Sequence, residues 1–434
     1  MSYFKFLYRT RGLANTFTRA LAIFRRFGIT PEKSRRNLEM LCTITGRNHC
    51  RPSLPATAII VNRYPDVFKD LVRKGAVLAV HGYRHINYKE LLYEEQVSEL
   101  QKAMDIFKQH GLPFTGFRCP YMSWNEHTLK SLNSRNFLWD SNRSILWDVL
   151  DEDDYHPDDW DVCKRILSII YQPKDAGRYH AIPRIEDGVV EIPVSLPDDE
   201  ILTDRLKVKD KNALAKIWNA MFEKSHERGE LLTFQLHPER VPLFGEILEK
   251  ILKKARETSP PVWIATLEDI ARWWEERSNF SFSMERQSDS AVRVILNCSG
   301  RASVLIRNYD EKRFQRSQIS DYLVIGERDF TLQSDRFPII GLSLDFPMHA
   351  ERYLKEEGWL YRKSPEKDLF SLHLQANEAI DFVNERRTGD FIESSKGPLL
   401  RFWRWPGGYR SALSVTGDID CLTILDFFAR LFKR

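Results

Sequence analysis

The run Ala76-Val77-Leu78-Ala79-Val80 ends directly in His81-Gly82-Tyr83-Arg84-His85. Five consecutive small or branched apolar residues predict a strand buried on both faces, as in the interior of an α/β protein. Two histidines follow four residues apart. On a helical turn that spacing puts both imidazoles on one face, where two nitrogens can meet one metal ion. Loop histidines at this separation are equally compatible with solvated or hydrogen-bonded side chains. The pair therefore gains chemical meaning only if a third ligand and a base lie elsewhere in the chain.

A rhythm runs from Pro55 onward, with short apolar runs, polar clusters and helical segments in turn. It predicts strands at Ala56–Val61, Ala76–His81, Phe114–Cys119, Phe137–Asp140, Val190–Leu196, Leu231–His237 and Val262–Leu267, with helices such as Tyr93–His110 and Leu214–Arg228 between them. Strands alternating with helices imply a parallel sheet or barrel. The reactive residues fall at the C-terminal ends of these strands: His81 and His85, Arg118 to Tyr121, Asp140, Asp198 and Asp199, and His237. A (β/α) barrel collects its active site at that rim.

The remainder is organised differently. Residues 278–345 read as short, often alternating segments without a long helix, which predicts a small antiparallel, sandwich-like β domain. Residues 346–405 read as an α+β connecting segment with helices at Met348–Glu357 and Glu378–Arg387. The α/β pattern then returns: Ala412–Asp418 reads as one more strand with acids at its end, and Leu422–Arg434 as an amphipathic helix. Residues 1–277 and 406–434 are thus expected to form one unit.

At 434 residues and 42% hydrophobic composition the chain is long enough for two or three domains. A net charge of +4, from 65 basic and 61 acidic residues, carries no bulk signature of nucleic-acid binding. The six cysteines are scattered, without a Cys-x-x-Cys pair, and are expected to be reduced thiols. No run reaches the length of a membrane span, and Lys5, Arg9 and Arg11 interrupt any secretory apolar core, so a cytoplasmic location is expected. Residues 1–36 carry nine Lys/Arg against Glu32 alone, with Leu13, Phe17, Leu21 and Phe24 at helical spacing. This basic amphipathic helix is expected to dock on its own domain, with peripheral contact to an anionic membrane as the alternative. The acidic run from Asp148 to Asp161 lacks the glycine and ligand order of a calcium loop and reads as solvated.

His81-Gly-Tyr-Arg-His85, Arg118-Cys-Pro-Tyr121, Leu236-His-Pro238 and Thr416-Gly-Asp-Ile-Asp420 together resemble the motifs of the polysaccharide deacetylases, the NodB-homology proteins of carbohydrate esterase family 4. The resemblance implies a distorted (β/α) barrel of NodB type holding one divalent metal through an aspartate and two histidines. Two departures matter. The aspartate motif comes first in the family and last here, so the barrel reads as circularly permuted, with 278–405 as the connection into its first strand. Asp-Ile-Asp also replaces adjacent aspartates, as in branches resembling allantoinase-like amidohydrolases. On extended backbone, residues two apart share a face, so Asp418 and Asp420 can point into one site.

By motif matching, His81, His85 and Asp420 would be the metal ligands, with zinc the first choice and Co2+, Mn2+, Ni2+ or Fe2+ open. Asp418 would be the base, Arg118 its holder, the Tyr121 backbone N–H an oxyanion donor and His237 the general acid. Pro120, Asp140 and Asp199 are expected to contact substrate, although Asp140 before Ser141 also suits a helix N-cap. The implied activity is removal of an N-acetyl group from an amino sugar or related carbohydrate. An allantoinase-like amidohydrolase, or a non-catalytic carbohydrate-binding protein on a decayed barrel, remains the alternative. Phe402–Trp405 is expected to pack its indoles at a hinge, with sugar stacking as the other reading.

Overall fold

The computed structural model describes residues 26–319, 321–376 and 383–432. Residues 1–25 of the basic amphipathic stretch and part of the expected Glu378–Arg387 helix lie outside these residues.

The central sheet has nine strands: β1 (Ser53–Ala56), β2 (Val77–Val80), β3 (Gly116–Phe117), β4 (Trp139–Asp140), β5 (Arg184–Glu186), β6 (Val189–Glu191), β7 (Leu231–Gln235), β8 (Val262–Ile264) and β9 (Ser411–Thr416). Their order is β7-β9-β1-β2-β3-β4-β6-β5, with β8 also paired to β9. All pairings are parallel except the β5–β6 hairpin. Strand β9 therefore sits inside the sheet although it follows β1 by more than three hundred residues. Leu231 to Gln235 of β7 pair with Ala412 to Thr416 on one side, and Ser53 of β1 meets Thr416 on the other. The sheet curls back on itself: the Thr233 N–H of β7 donates to Ser195 Oγ, on the separate Val194–Leu196 strand, at 3.1 Å. The fold is a distorted, open (β/α) barrel.

Helices cover the outside of the sheet because their apolar stripes match its outward residues. The Lys211–Glu227 helix starts where Asp210 accepts the N–H groups of Asn212 and Ala213, and it buries Leu214, Trp218 and Met221. Trp218 lies 4.5 Å from both Phe234 of β7 and Phe244 of the next helix, ring centre to ring centre. Burial of one such ring contributes about 1.5–3 kcal/mol. Because strand residues alternate faces, Phe234 packing outward sends Gln235 inward, beside its register partner Thr416.

Several boundaries differ from the expectation. Residues Ala58–Arg63 are helical, and β1 precedes them, because a short apolar run does not distinguish strand from helix. The expected Val190–Leu196 strand is two strands in different sheets. In the 278–405 region, Ser281–Ser288, Ala291–Asn297 and Asp329–Gln333 form an antiparallel sheet, as expected. Phe337–Leu342, however, pairs in parallel with Tyr361–Lys363 and Phe370–Leu374, because the Met348–Glu357 helix makes a crossover connection. Val304–Arg307 pairs with Leu399–Phe402, so strands on either side of residue 345 share sheets.

The junction between this region and the barrel is aromatic and ionic. Trp405 is fully buried, 5.7 Å from Trp274 and 6.3 Å from Trp263, which is the expected indole packing. Buried Arg401 and Arg404 both donate to Glu357, whose carboxyl is held well below its ordinary range against the cost of burial.

Candidate metal and hydrolytic site

Four strand ends converge on one cleft of about 130 Å³. His81 follows β2 and is almost fully buried. Its Nδ1 faces the Arg118 carbonyl oxygen at 2.7 Å, so a proton at Nδ1 leaves the Nε2 lone pair directed into the site. The chain then turns at Gly82, with φ of +78°, and brings His85 alongside in a loop. The pair is thus set by a strand end and a turn and not by the helical turn its spacing suggested; the ring centres lie 5.1 Å apart.

Asp420 arrives from beyond β9. Its Oδ1 lies 3.2 Å from His81 Nε2 and its Oδ2 3.2 Å from His85 Nε2. One ligand atom from each of the three residues lies within 4.8 Å of the others. Buried His81 Nε2 makes no well-formed hydrogen bond even to the neighbouring Asp420 Oδ1, which leaves its lone pair available to a cation. Two imidazole nitrogens and a carboxylate are also the donor set of an open zinc site. The residues fit a divalent cation.

Asp418, two residues earlier, points into the same cleft, as the shared-face argument required. Its Oδ1 accepts from Arg118 Nη1 at 2.9 Å, and its Oδ2 accepts from Gln235 Nε2 at 3.0 Å. Arg118 is fully buried. It also donates from Nη1 to Thr416 Oγ1, from Nε to the Ser141 carbonyl and from Nη2 to Ser141 Oγ, at 2.8–3.2 Å. Gln235 carries no motif and was missed by sequence reasoning; its inward position on β7 is the available signal.

The Pro120–Met122 turn flanks the histidines. The Tyr121 ring meets His85 edge-on at 4.2 Å between centres. Tyr121 and Met122 have φ of +58° and +52°, left-handed conformations that cost non-glycine residues on the order of 1–3 kcal/mol each. Such strain concentrates at functional sites.

Across the cleft, His237 is held twice by Asp199. The His237 N–H donates to Oδ2 at 2.7 Å, and Nδ1 pairs with Oδ1 at 2.8 Å. Burial opposes charge on the ring, but the Asp199 carboxylate outweighs it, so the imidazolium persists well above its ordinary range. With Nδ1 engaged by Asp199, Nε2 is the ring nitrogen left to offer a proton. The carboxyl of adjacent Asp198 is pushed up to about 7 by burial and by the charge of Asp199.

Three residues expected to touch substrate do not line the cleft. Pro120 and Asp140 are buried behind it, and Asp199 is buried behind His237 as its support. Asp140 is not an N-cap either: its Oδ2 accepts from Asn142 Nδ2 at 2.6 Å, and burial, then the charge of Glu191, holds its carboxyl well above the ordinary range. Side chains absent from the expectation line the cleft instead, among them Phe27, Phe427, Arg205 and Arg240.

Among the described residues no helix is long and apolar enough to cross a membrane. No curated protein matches the chain. A structure described as a probable polysaccharide deacetylase from Pseudomonas aeruginosa PAO1 is 19% identical, over 56% of this chain and 74% of that one, with a TM-score of 0.44. An allantoinase structure is 16% identical over 55% and 72%, with a TM-score of 0.42. A family 4 carbohydrate esterase pseudoenzyme from Bacillus anthracis is 13% identical over 43% and 57%, at 0.27. Residues 45–137, which hold His81, His85, Arg118 and Tyr121, match the family model described as polysaccharide deacetylase.

Proposed function

We propose that this protein is a metal-dependent hydrolase that removes an amide-linked acetyl group from an amino sugar or related carbohydrate. The observation carrying this reading is the meeting of Asp420 with His81 and His85 across more than three hundred residues of sequence, with Asp418 lining the same cleft. His81, His85 and Asp420 would hold one divalent cation, zinc by donor chemistry. That ion, when bound, polarises the amide carbonyl and makes water a stronger acid.

The chain's own residues then divide the work. Asp418 takes the proton of the attacking water while Arg118 and Gln235 fix both of its oxygens. The Tyr121 N–H, aimed by the strained turn, stabilises charge developing on the carbonyl oxygen. His237, kept protonated by Asp199, gives its proton to the departing amine. The same reading takes the barrel as a circular permutation of the family order, with 278–405 leading into the strand that carries the carboxylates.

The Asp418-Ile419-Asp420 spacing favours a second reading, an allantoinase-like amidohydrolase acting on a small molecule. The two are separated by loading the purified protein with Zn2+ and measuring acetate release from N-acetylglucosamine oligosaccharides and hydrolysis of allantoin, each with and without chelator. Chelator-sensitive acetate release supports the first reading. Hydrolysis of allantoin alone would replace it with the second, and activity toward neither would favour a binding protein on the same barrel.

A further inference from the structure

The segment just after β4, Asp140-Ser141-Asn142, touches two working parts of the site without lining the cleft. Ser141 receives Arg118 twice, at its carbonyl oxygen from Nε (3.2 Å) and at its hydroxyl from Nη2 (2.9 Å). Arg118 in turn holds Asp418. Asn142 accepts the Cys119 N–H at Oδ1, 2.6 Å away, immediately before the strained Pro120–Met122 turn. Its Nδ2 is fixed on Asp140 Oδ2 at 2.6 Å, and its own N–H donates to Glu191 Oε1 at 3.2 Å. All of these groups are buried. An asparagine so clamped presents its Oδ1 in one place, which holds the root of a turn whose backbone would otherwise relax out of the left-handed region.

We infer that Ser141 and Asn142 are positioning residues, Ser141 aligning the Arg118–Asp418 pair and Asn142 anchoring the turn that aims the Tyr121 N–H. The catalytic roles of Asp418 and Tyr121 on which this rests are those of the proposed function. Burial, then the charge of Glu191, holds the Asp140 carboxyl well above the ordinary carboxylate range, and the Asn142 amide is the hydrogen-bond donor the structure gives its Oδ2.

The test compares N142L, N142D and S141A with the full-length wild type, each loaded with one equivalent of Zn2+. Leucine keeps the branched heavy-atom outline of asparagine but accepts nothing from Cys119. Aspartate keeps the acceptor for the Cys119 N–H. With an N-acetylglucosamine oligosaccharide as probe, kcat should fall at least ten-fold in N142L and S141A. KM and zinc affinity should stay within about two-fold, and N142D should recover most of the loss. Independently of turnover, amide hydrogen exchange at Tyr121 and Met122 should quicken at least ten-fold in N142L and return towards wild type in N142D.

Wild-type kcat in N142L, or parallel losses of kcat, KM and zinc binding in every variant, would overturn the assignment. Exchange at the turn unchanged by N142L would overturn it as well. If N142L does not fold, the kcat-against-KM split in S141A and the exchange rates in N142D decide. If the wild type itself releases no acetate, the proposed function fails, and the exchange measurements alone still judge whether Asn142 holds the turn.

Discussion

At the scale of single residues, the site separates groups that would hold the ion from groups that would move protons, and substitutions should separate them too. Asp418 lies beside the candidate ligands without being one of them, so D418N should lose at least 10³-fold in kcat while retaining one equivalent of zinc by elemental analysis. H81A and D420A should lose both metal and turnover. His237 predicts the pH profile. Its acid form persists well above the ordinary histidine range because of Asp199, so kcat should hold through neutral pH and fall only as the imidazolium finally deprotonates. In D199N the carboxylate that outweighs burial is gone, and the alkaline limb should move to lower pH. A limb that stays in place would remove His237 from the acid's role. Sequence motifs identified His81, His85, His237, Asp418 and Asp420 as residues that line one cleft, with Arg118 buried behind Asp418. Asp140, Pro120 and Asp199 lie outside the lining of that cleft, because the position of a strand end shows that a side chain is near the rim but not whether it faces the cleft or the layer behind it.

Among the elements, β9 governs the site. Gly417 joins it to Asp418, and a Cβ there would lie 2.6 Å from the Leu236 carbonyl oxygen, with Leu54 and Leu41 behind. Backbone cannot retreat as a flexible side chain can. Gly417→Ala should therefore cost about 1–3 kcal/mol, read as a lower denaturant midpoint at unchanged slope, and should weaken zinc binding by displacing Asp420. The existence of the barrel strands was legible from short apolar runs ending in reactive residues. Their limits were not: Gly116–Phe117 and Trp139–Asp140 are pairs, too short for any period to register, and they are held in the sheet by neighbours on both sides. The parallel pairing of Phe337–Leu342 likewise depends on a crossover that alternation alone does not reveal.

For the whole molecule, the three candidate ligands tie sequence positions 81 and 85 to position 420, so an ion bound there acts as a staple across the fold. Binding confined to the native state stabilises it by about 4 kcal/mol when the free ligand is 1,000 times its Kd. The melting temperature should therefore rise with zinc concentration, fall reversibly on chelation, and be indifferent to both in D420A. A wild-type melting point that ignores zinc would remove the ion from the site.

The placement of β9 has one more consequence, for folding in the cell. Translation delivers β1 and β7 long before the strand that lies between them. During that interval two inner edges with free hydrogen-bonding groups stand open in the nascent polypeptide, an invitation to aggregation that chaperones would have to guard. Hydrolytic competence would then arise only when the late strand threads into its slot, so a ribosome stalled before codon 411 would yield a product both inert and adhesive.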